Sequence, residues 1–342
     1  MSIPRRRLMA ALGSASTLPF LLPFLARRAL AAYPDRSIHL IVPFAAGGNA
    51  DIVGRITGDL ISKALSQPVV VENRGGGGGS IGAEFVAHAN PDGYTLLVGS
   101  NGPLTVDPFV HANLGYDPLK DFTAVALTSY VPHALILSNK IEAKTMGELI
   151  TRSKTAAVTV ATSGVGSATH MTLERLKAAT GANLTHVPYR GGGALMPDLI
   201  SGNIDGAMTE FSTALPMHQA GHAHIIAIAA LHRSKLAPDI PTFDESGVKG
   251  FTAQSYIGVV APAKTPPDAI DKLQQAIAQG LSTGSPAAER LIGLGSEVAS
   301  PEQMTAKGFA EFIRTDYENM SKAAQLAGIT PQSLRRTLPA KD

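Results

Sequence analysis

Three short loops in this chain combine residue types that could do one chemistry together. They are Phe44-Ala45-Ala46-Gly47-Gly48 with Asp51, Ser163-Gly164-Val165-Gly166-Ser167-Ala168-Thr169, and Tyr189-Arg190-Gly191-Gly192-Gly193. Each follows a short apolar run and opens a stretch with helical spacing. The start of a helix offers backbone N–H groups without intrahelical partners and a partial positive charge, so it can hold an anion with no cationic side chain. Small residues let a ligand come close to that backbone. Two or three such loops facing each other across a cleft would hold a carboxylate, each charge-assisted hydrogen bond adding about 1.5–3 kcal/mol. Singly, each loop is an ordinary strand-to-helix turn.

Other chemistries fit less well. Gly77-Gly78-Gly79-Ser80-Ile81-Gly82 matches the dinucleotide pattern G-x-G-x-x-G. That site also wants an acid at the end of the next strand, where this chain has Gly99-Ser100-Asn101. Gly78-x-Ser80-x-Gly82 matches the hydrolase elbow, but Glu72-Asn73-Arg74 and the glycines separate Ser80 from the strand that should run into it. His218, His222 and His224 suggest a metal, but Gly221 should end the helix before His218 and His222 can share a face. The chain has no Cys, which removes disulfides, thiolate metal sites and cysteine nucleophiles. No cofactor, metal or nucleic acid is expected.

The elements that must position the three loops alternate along the chain. Strands are expected at 37–42, 69–71, 94–98, 134–138, 158–161, 184–187, 204–208, 225–229 and 255–261. Ile52, Val53, Ile56, Leu60, Ile61 and Leu65 form one apolar helical face after a cap at Asn49 or Asp51. Further helices are expected at 81–89, 145–153, 169–179, 193–201, 266–282, 285–293 and 302–326. This rhythm argues for an α/β fold with parallel or mixed sheets, and the number of elements argues for two lobes with strands crossing between them.

The chain has 342 residues, 44% of them hydrophobic, and a formal charge of +2. The positive balance comes from one segment. Arg5-Arg6-Arg7 precedes an uncharged run from Leu8 to Ala26, and Ala29-Leu30-Ala31 supplies a small-residue cleavage site. Residues 1–32 therefore have the layout of a cleaved export signal, twin-arginine-like, cut near Ala31 or Ala32. Setting aside its five arginines leaves 24 basic against 27 acidic side chains, a net of −3. Overall charge cannot attract an anion to such a protein. The expected location is the periplasm.

Several segments in this order resemble one family. They are Tyr33-Pro34-Asp35, Leu40-Ile41-Val42-Pro43-Phe44-Ala45-Ala46-Gly47-Gly48, Val70-Val71-Glu72-Asn73-Arg74, Pro91-Asp92-Gly93-Tyr94-Thr95-Leu96-Leu97, Tyr116-Asp117-Pro118 with Asp121-Phe122, His186-Val187-Pro188-Tyr189-Arg190-Gly191, Pro241-Thr242 and Ala261-Pro262-Ala263. Across about 33–330 the chain resembles the Bug family, the periplasmic solute receptors of tripartite tricarboxylate transporters.

The resemblance implies a two-lobed type II periplasmic binding fold, the Venus flytrap, with a central cleft, crossing strands and no catalysis. Lobe one would be 33–132 plus 256–342 and lobe two 133–255, with His133 and Tyr256 marking the crossings. The ligand residues it implies are Phe44, Ala45, Ala46, Gly47, Gly48, Asp51, Ser100, Asn101, Ser163, Gly166, Ser167, Thr169, Tyr189, Arg190, Gly191 and Glu210. Asp51 either binds an amine or serves its helix start, and Arg190 and Arg55 either add charge at a carboxylate or stand in solvent. The ligand would be a small carboxylate or related anion, the partners integral-membrane permease subunits, and the receptor a monomer. A sensing receptor of the same fold is the second reading, and a hydrolase using Ser80 the third. The chain departs from the family's pattern at Asn49-Ala50, at Glu210, at Tyr256 and in its long glycine run, all near the implied cleft.

Overall fold

A computed structural model of the chain describes residues 33–326. The export signal read from residues 1–32 lies outside the described residues. Ten strands and ten helices are formed among those described. The strands are β1 (Ile38–Val42), β2 (Val69–Asn73), β3 (Thr95–Ser100), β4 (Phe122–Ser138), β5 (Val158–Thr162), β6 (Leu184–Pro188), β7 (Gly206–Glu210), β8 (Ala223–Ile228), β9 (Gln254–Pro262) and β10 (Glu297–Val298). The helices are α1 (Asn49–Leu65), α2 (Ser80–Ala87), α3 (Asp107–Val110), α4 (Met146–Ser153), α5 (Ala168–Thr180), α6 (Gly192–Ser201), α7 (Phe211–Gln219), α8 (Pro267–Gly280), α9 (Pro286–Gly293) and α10 (Ala306–Leu326).

Hydrogen-bonded neighbours run in the order β2-β1-β3-β9-β4-β7-β5-β6, with β8 and β10 also on β4. β1, β2 and β3 are parallel, as are β5, β6 and β7. Parallel strands buried on both faces read as continuous apolar runs, and Ile38, Leu40, Ile41 and Val42 are each 1% exposed or less. Two further cores lie around β5 and β7. One holds Leu149, Val160, Leu173, Met208 and Phe243, the other Ile136, Leu195, Leu199, Phe211 and Ile228. This is the expected α/β architecture, with two sheet halves sharing one long strand. Among the described residues, 34–326 form one compact unit.

β4 joins the halves. Phe122–Pro132 pairs with β9, and from His133 onward the strand pairs with β7 and β8. The switch falls at Pro132, which has no N–H to give to a ladder. The His133 amide then donates to Ala253, the Ala253 amide to Ala229, and the Ala229 amide back to His133. Three segments far apart in sequence are thus tied at one point.

Spacing alone predicts only 134–138 of β4, because Thr123, Thr128, Ser129 and Pro132 break the apolar run. One of those polar groups is satisfied inside the sheet, as Thr128 Oγ1 donates to the Ile257 carbonyl at 2.7 Å. β7 begins two residues later than expected. Asp205 is held outside it, accepting from the amide and hydroxyl of Thr159 at 2.9 and 2.8 Å. α10 begins at Ala306 instead of 302, after Thr305, whose Oγ1 accepts from the Gly308 amide at 2.9 Å. The π-helical turn Gly102–Val106, α3 and β10 were not expected.

Candidate functional site

Four helix starts meet at one cavity. α1 contributes Gly48, Asn49 and Ala50, α5 Ser167 and Ala168, α6 Gly192, and α7 Glu210. Phe44, Ser100, Ser163, Ser255 and Ile257 complete the wall. No Lys, Arg or His lines it. The N-cap residues of α1, α6 and α7 (Gly48, Gly191 and Glu210) make no side-chain cap. Ser167 does cap α5, accepting from the His170 amide at 3.2 Å while donating to Gly164 at 2.7 Å. The wall is therefore made of helix-start backbone, hydroxyls and one carboxyl. It is suited to an oxyanion held by N–H groups and dipoles.

The cavity has a volume of about 20 Å³. That is room for about one water. The walls are drawn tightly together. The Ala45 amide donates to the Arg190 carbonyl at 2.8 Å, and the Asn49 amide to Thr213 Oγ1 at 3.1 Å. Ser212 Oγ donates to Asn49 Oδ1 at 2.9 Å. Glycines allow this approach. A Cβ on Gly193 would sit 2.0 Å from the Ala46 carbonyl oxygen, and one on Gly78 2.4 Å from that of Val165. Gly78 also has φ of +65°, a conformation open to glycine at little cost. The long glycine run thus serves the seam between the sheet halves.

Glu210 is the single ionisable group in the wall. Burial pushes its carboxyl above the usual range. Thr209 Oγ1 donates to Oε2 at 3.2 Å, and Ser255 Oγ lies 3.3 Å from Oε1. Behind Ser255 stands His133, fully buried, its pKa driven down to about 3 by that burial. His133 Nε2 is 2.8 Å from Ser255 Oγ, and Nδ1 is 2.8 Å from Thr172 Oγ1.

A second buried pair lies on the same seam. Asp107 Oδ1 is 3.2 Å from His111 Nε2, with both side chains at most 4% exposed. Burial raises the Asp107 pKa to about 7, and the Asp107 carboxyl beside it raises that of His111. Both pack against Gly166, where a Cβ would come within 2.2 Å of Asp107 Oδ1.

Of the expected ligand residues, Phe44, Gly48, Ser100, Ser163, Ser167 and Glu210 line the cavity. The others stand beside or behind it. Ala45, Ala46, Arg190 and Gly191 form the seam, with the Arg190 side chain exposed. Asp51 accepts from the Gly47 amide at 2.9 Å, Asn73 Nδ2 at 2.9 Å and Arg55 Nε at 3.1 Å, so its oxygens hold the α1 entry loop. Asn49 does not cap α1, since Gly48 occupies that position and the Asn49 oxygen is bound to Ser212. Asn101 Oδ1 accepts from the Tyr256 amide at 3.0 Å. Thr169 Oγ1 accepts from the Ser163 amide at 3.0 Å, and the Tyr189 hydroxyl donates to Asp198 Oδ2 at 2.5 Å. Gly166 meets Asp107 and His111 as above.

The individually expected ligand residues do not include Asn49, Ala50, Ala168, Gly192, Ser255 and Ile257, of which only Ser255 and Ile257 lie outside the chosen loops. The first four are helical residues directly following or within the chosen loops. Ser255 and Ile257 flank Tyr256 on β9 and share a face by strand alternation. Ser80 opens α2 after a 3-10 turn at Gly77–Gly79, not after a strand. α7 ends at Gln219. His218 Nδ1 accepts from the Ile225 amide at 3.2 Å, and His224 Nε2 lies 2.8 Å from the Ala143 carbonyl.

The profile of the tripartite tricarboxylate transporter family receptors matches residues 53–326. A UPF0065 protein of Agrobacterium vitis is 34% identical over 324 residues, covering 94% of this chain and 92% of its own. The structure of the periplasmic binding protein BugD has a TM-score of 0.83 at 33% identity, covering 88% of this chain and 100% of its own. MatC from Rhodopseudomonas palustris, solved with bound malate, has a TM-score of 0.81 at 32% identity, covering 85% of this chain and 100% of its own.

Proposed function

Because the chain belongs to the tripartite tricarboxylate transporter receptors, the Bug family of periplasmic binding proteins, we propose that it captures a small carboxylate between two lobes and delivers it to membrane permease subunits. Within the described residues, lobe one would be 33–132 plus 256–326, and lobe two 133–255. The observation that carries this reading is the convergence of α1, α5, α6 and α7 on a cavity without any cationic side chain. α1 belongs to one lobe and the other three to its partner. A ligand bridging them gains its full set of contacts only when the lobes meet, so binding shifts the population toward the closed form.

The receptor is exported to the periplasm after cleavage near Ala31 or Ala32 and works there as a monomer. No helix among the described residues is long and apolar enough to cross a membrane. N-terminal sequencing of the exported protein should begin near Ala32 or Tyr33, and an intact Met1 would contradict export by cleavage.

The function is tested by thermal shift of the mature chain against mono-, di- and tricarboxylates, aromatic acids and amino acids. A ligand of the native state raises Tm by mass action. At least one carboxylate should do so in a saturable way. No shift with any carboxylate at millimolar concentration would overturn the reading.

A further inference from the structure

We propose that Ser212 and Thr213 of α7 are positioning residues that clasp Asn49 of α1, and that this clasp sets how long a captured carboxylate stays in the cavity. The proposal rests on the two-lobe receptor reading and adds residues that act on the ligand without touching it.

Asn49 opens α1 in lobe one, and Ser212 and Thr213 lie in the first turn of α7 in lobe two. The Asn49 amide donates to Thr213 Oγ1 at 3.1 Å, and Ser212 Oγ donates to Asn49 Oδ1 at 2.9 Å. The backbone and the side chain of one residue are thus each held by one of two adjacent hydroxyls. Asn49, Ser212 and Thr213 are buried, at 3%, 1% and 5% exposure. Among the described residues, every ion pair stays within one lobe. Apart from the crossing strands, the hydrogen bonds among them that use a side chain and pass from one lobe to the other both end on Asn49. The backbone bond from Ala45 to Arg190 also joins the lobes.

Burial gives these bonds their weight. A buried amide or hydroxyl left without a partner costs free energy, because it has given up water. With the lobes together, the Asn49 N–H and Oδ1 each have a partner. When the lobes part, water must replace both hydroxyls. Asn49 lines the cavity, whereas Ser212 and Thr213 stand outside its wall. A ligand enclosed by walls this close leaves only after they part, and parting breaks both bonds. An arriving ligand meets the open form, in which neither bond is made. The clasp therefore acts on release and not on entry, in keeping with the general pattern that variants of one site differ mainly in off-rate. None of the three side chains titrates in the ordinary pH range, so the clasp is equally strong across it.

The experiment measures release of radiolabelled malate, succinate and citrate from the mature chain into an excess of the unlabelled compound. Kd from calorimetry then gives the on-rate. Ser212→Ala and Thr213→Val should each speed release by roughly two- to tenfold, the range of one net hydrogen bond, with the on-rate nearly unchanged. Thr213→Ser keeps the acceptor oxygen and should release like the wild type, which separates the bond from the packing of the side chain. Asn49→Ala and Ser212→Ala remove the same bond, so the double variant should release no faster than Asn49→Ala alone. Where Ser212→Ala fails to fold, Thr213→Val and Thr213→Ser decide. Folded variants that release at the wild-type rate, a Thr213→Ser variant as fast as Thr213→Val, or additive effects in the double variant would overturn the clasp and leave the receptor reading intact. A wild type that binds none of these probes, nor any other carboxylate of the thermal panel, would overturn both.

Discussion

The backbone amide of Ala45 donates to the carbonyl of Arg190 across 2.8 Å, joining the loop that opens α1 to the loop that opens α6. Both residues are among the expected ligand residues, and their backbones hold together two loops beside the cavity. The same seam passes from Gly193 against Ala46 to Gly78 against Val165 and on to Gly166 against Asp107.

Gly193 offers a test of closure that spares the fold. It lies inside α6, where alanine is favoured over glycine by roughly 0.5–1 kcal/mol. With the α1 and α6 loops as close as they stand here, its Cβ would meet the Ala46 oxygen at 2.0 Å. Gly193→Ala should leave the unliganded Tm equal or slightly raised and weaken ligand affinity by about tenfold or more, equivalent to about 1.4 kcal/mol. Calorimetry and small-angle scattering check this. Unchanged affinity would show that capture does not need this contact.

Affinity should depend little on salt. The lining holds no Lys or Arg, and Arg190 is exposed outside it. Screening acts mainly on exposed charges, and helix-start amides in a buried site are largely shielded from it. Raising NaCl from about 50 to 500 mM should change Kd by less than about threefold. A steep loss would assign the anion to Arg190 or Arg55.

Two cap deletions separate stability from binding. Thr145 Oγ1 accepts from the Glu148 amide at 3.2 Å and caps α4, away from the cavity. Ser167 caps α5 and lines the cavity. Thr145→Ala and Ser167→Ala should each cost about 1 kcal/mol of stability. Denaturant melts should show similar losses for both, but titration should show weaker binding only for Ser167→Ala. Equal binding losses would argue that Ser167 acts through stability alone.

Asp107 should make stability fall with pH. Its folded pKa of about 7 exceeds the usual 3.8, so the native state binds the proton more tightly. That contribution is fully present below about pH 4 and is lost as pH rises to about 7. His111, raised above 6.5, contributes in the same direction, with loss as pH rises through and above that value. Asp107→Asn removes the first contribution. Its Tm relative to the wild type should climb between about pH 5 and 7.5. A difference constant across that range would show that Asp107 titrates as it does when unfolded.

What was legible in the sequence follows from which part of the chain does the work. The face of α1 could be read because Val53, Ile56 and Ile61 must be buried at helical spacing, and they are. The continuous runs of β1 and β3 could be read for the same reason. β4 could not, because its crossing half carries Thr128, Ser129 and Pro132, whose fit depends on partners more than 120 residues away. In the site, glycine-rich helix starts announced themselves, but the sequence could not say which loop residues turn inward. Arg190 and Asp51 drew attention by charge, yet one is exposed and the other is occupied by its own loop. Ser255 gave no local signal beyond its alternation with Ile257, since its role comes from His133 on β4.

The most direct test of the central claim is an amide nitrogen–proton NMR titration of the mature chain with a carboxylate that binds. Saturable shifts concentrated at Gly48–Ala50, Ser167–Ala168 and Gly192, from both sides of the seam, are the predicted result. Shifts confined to one side, or centred on Arg55 and Arg190 with those helix starts unmoved, would contradict it.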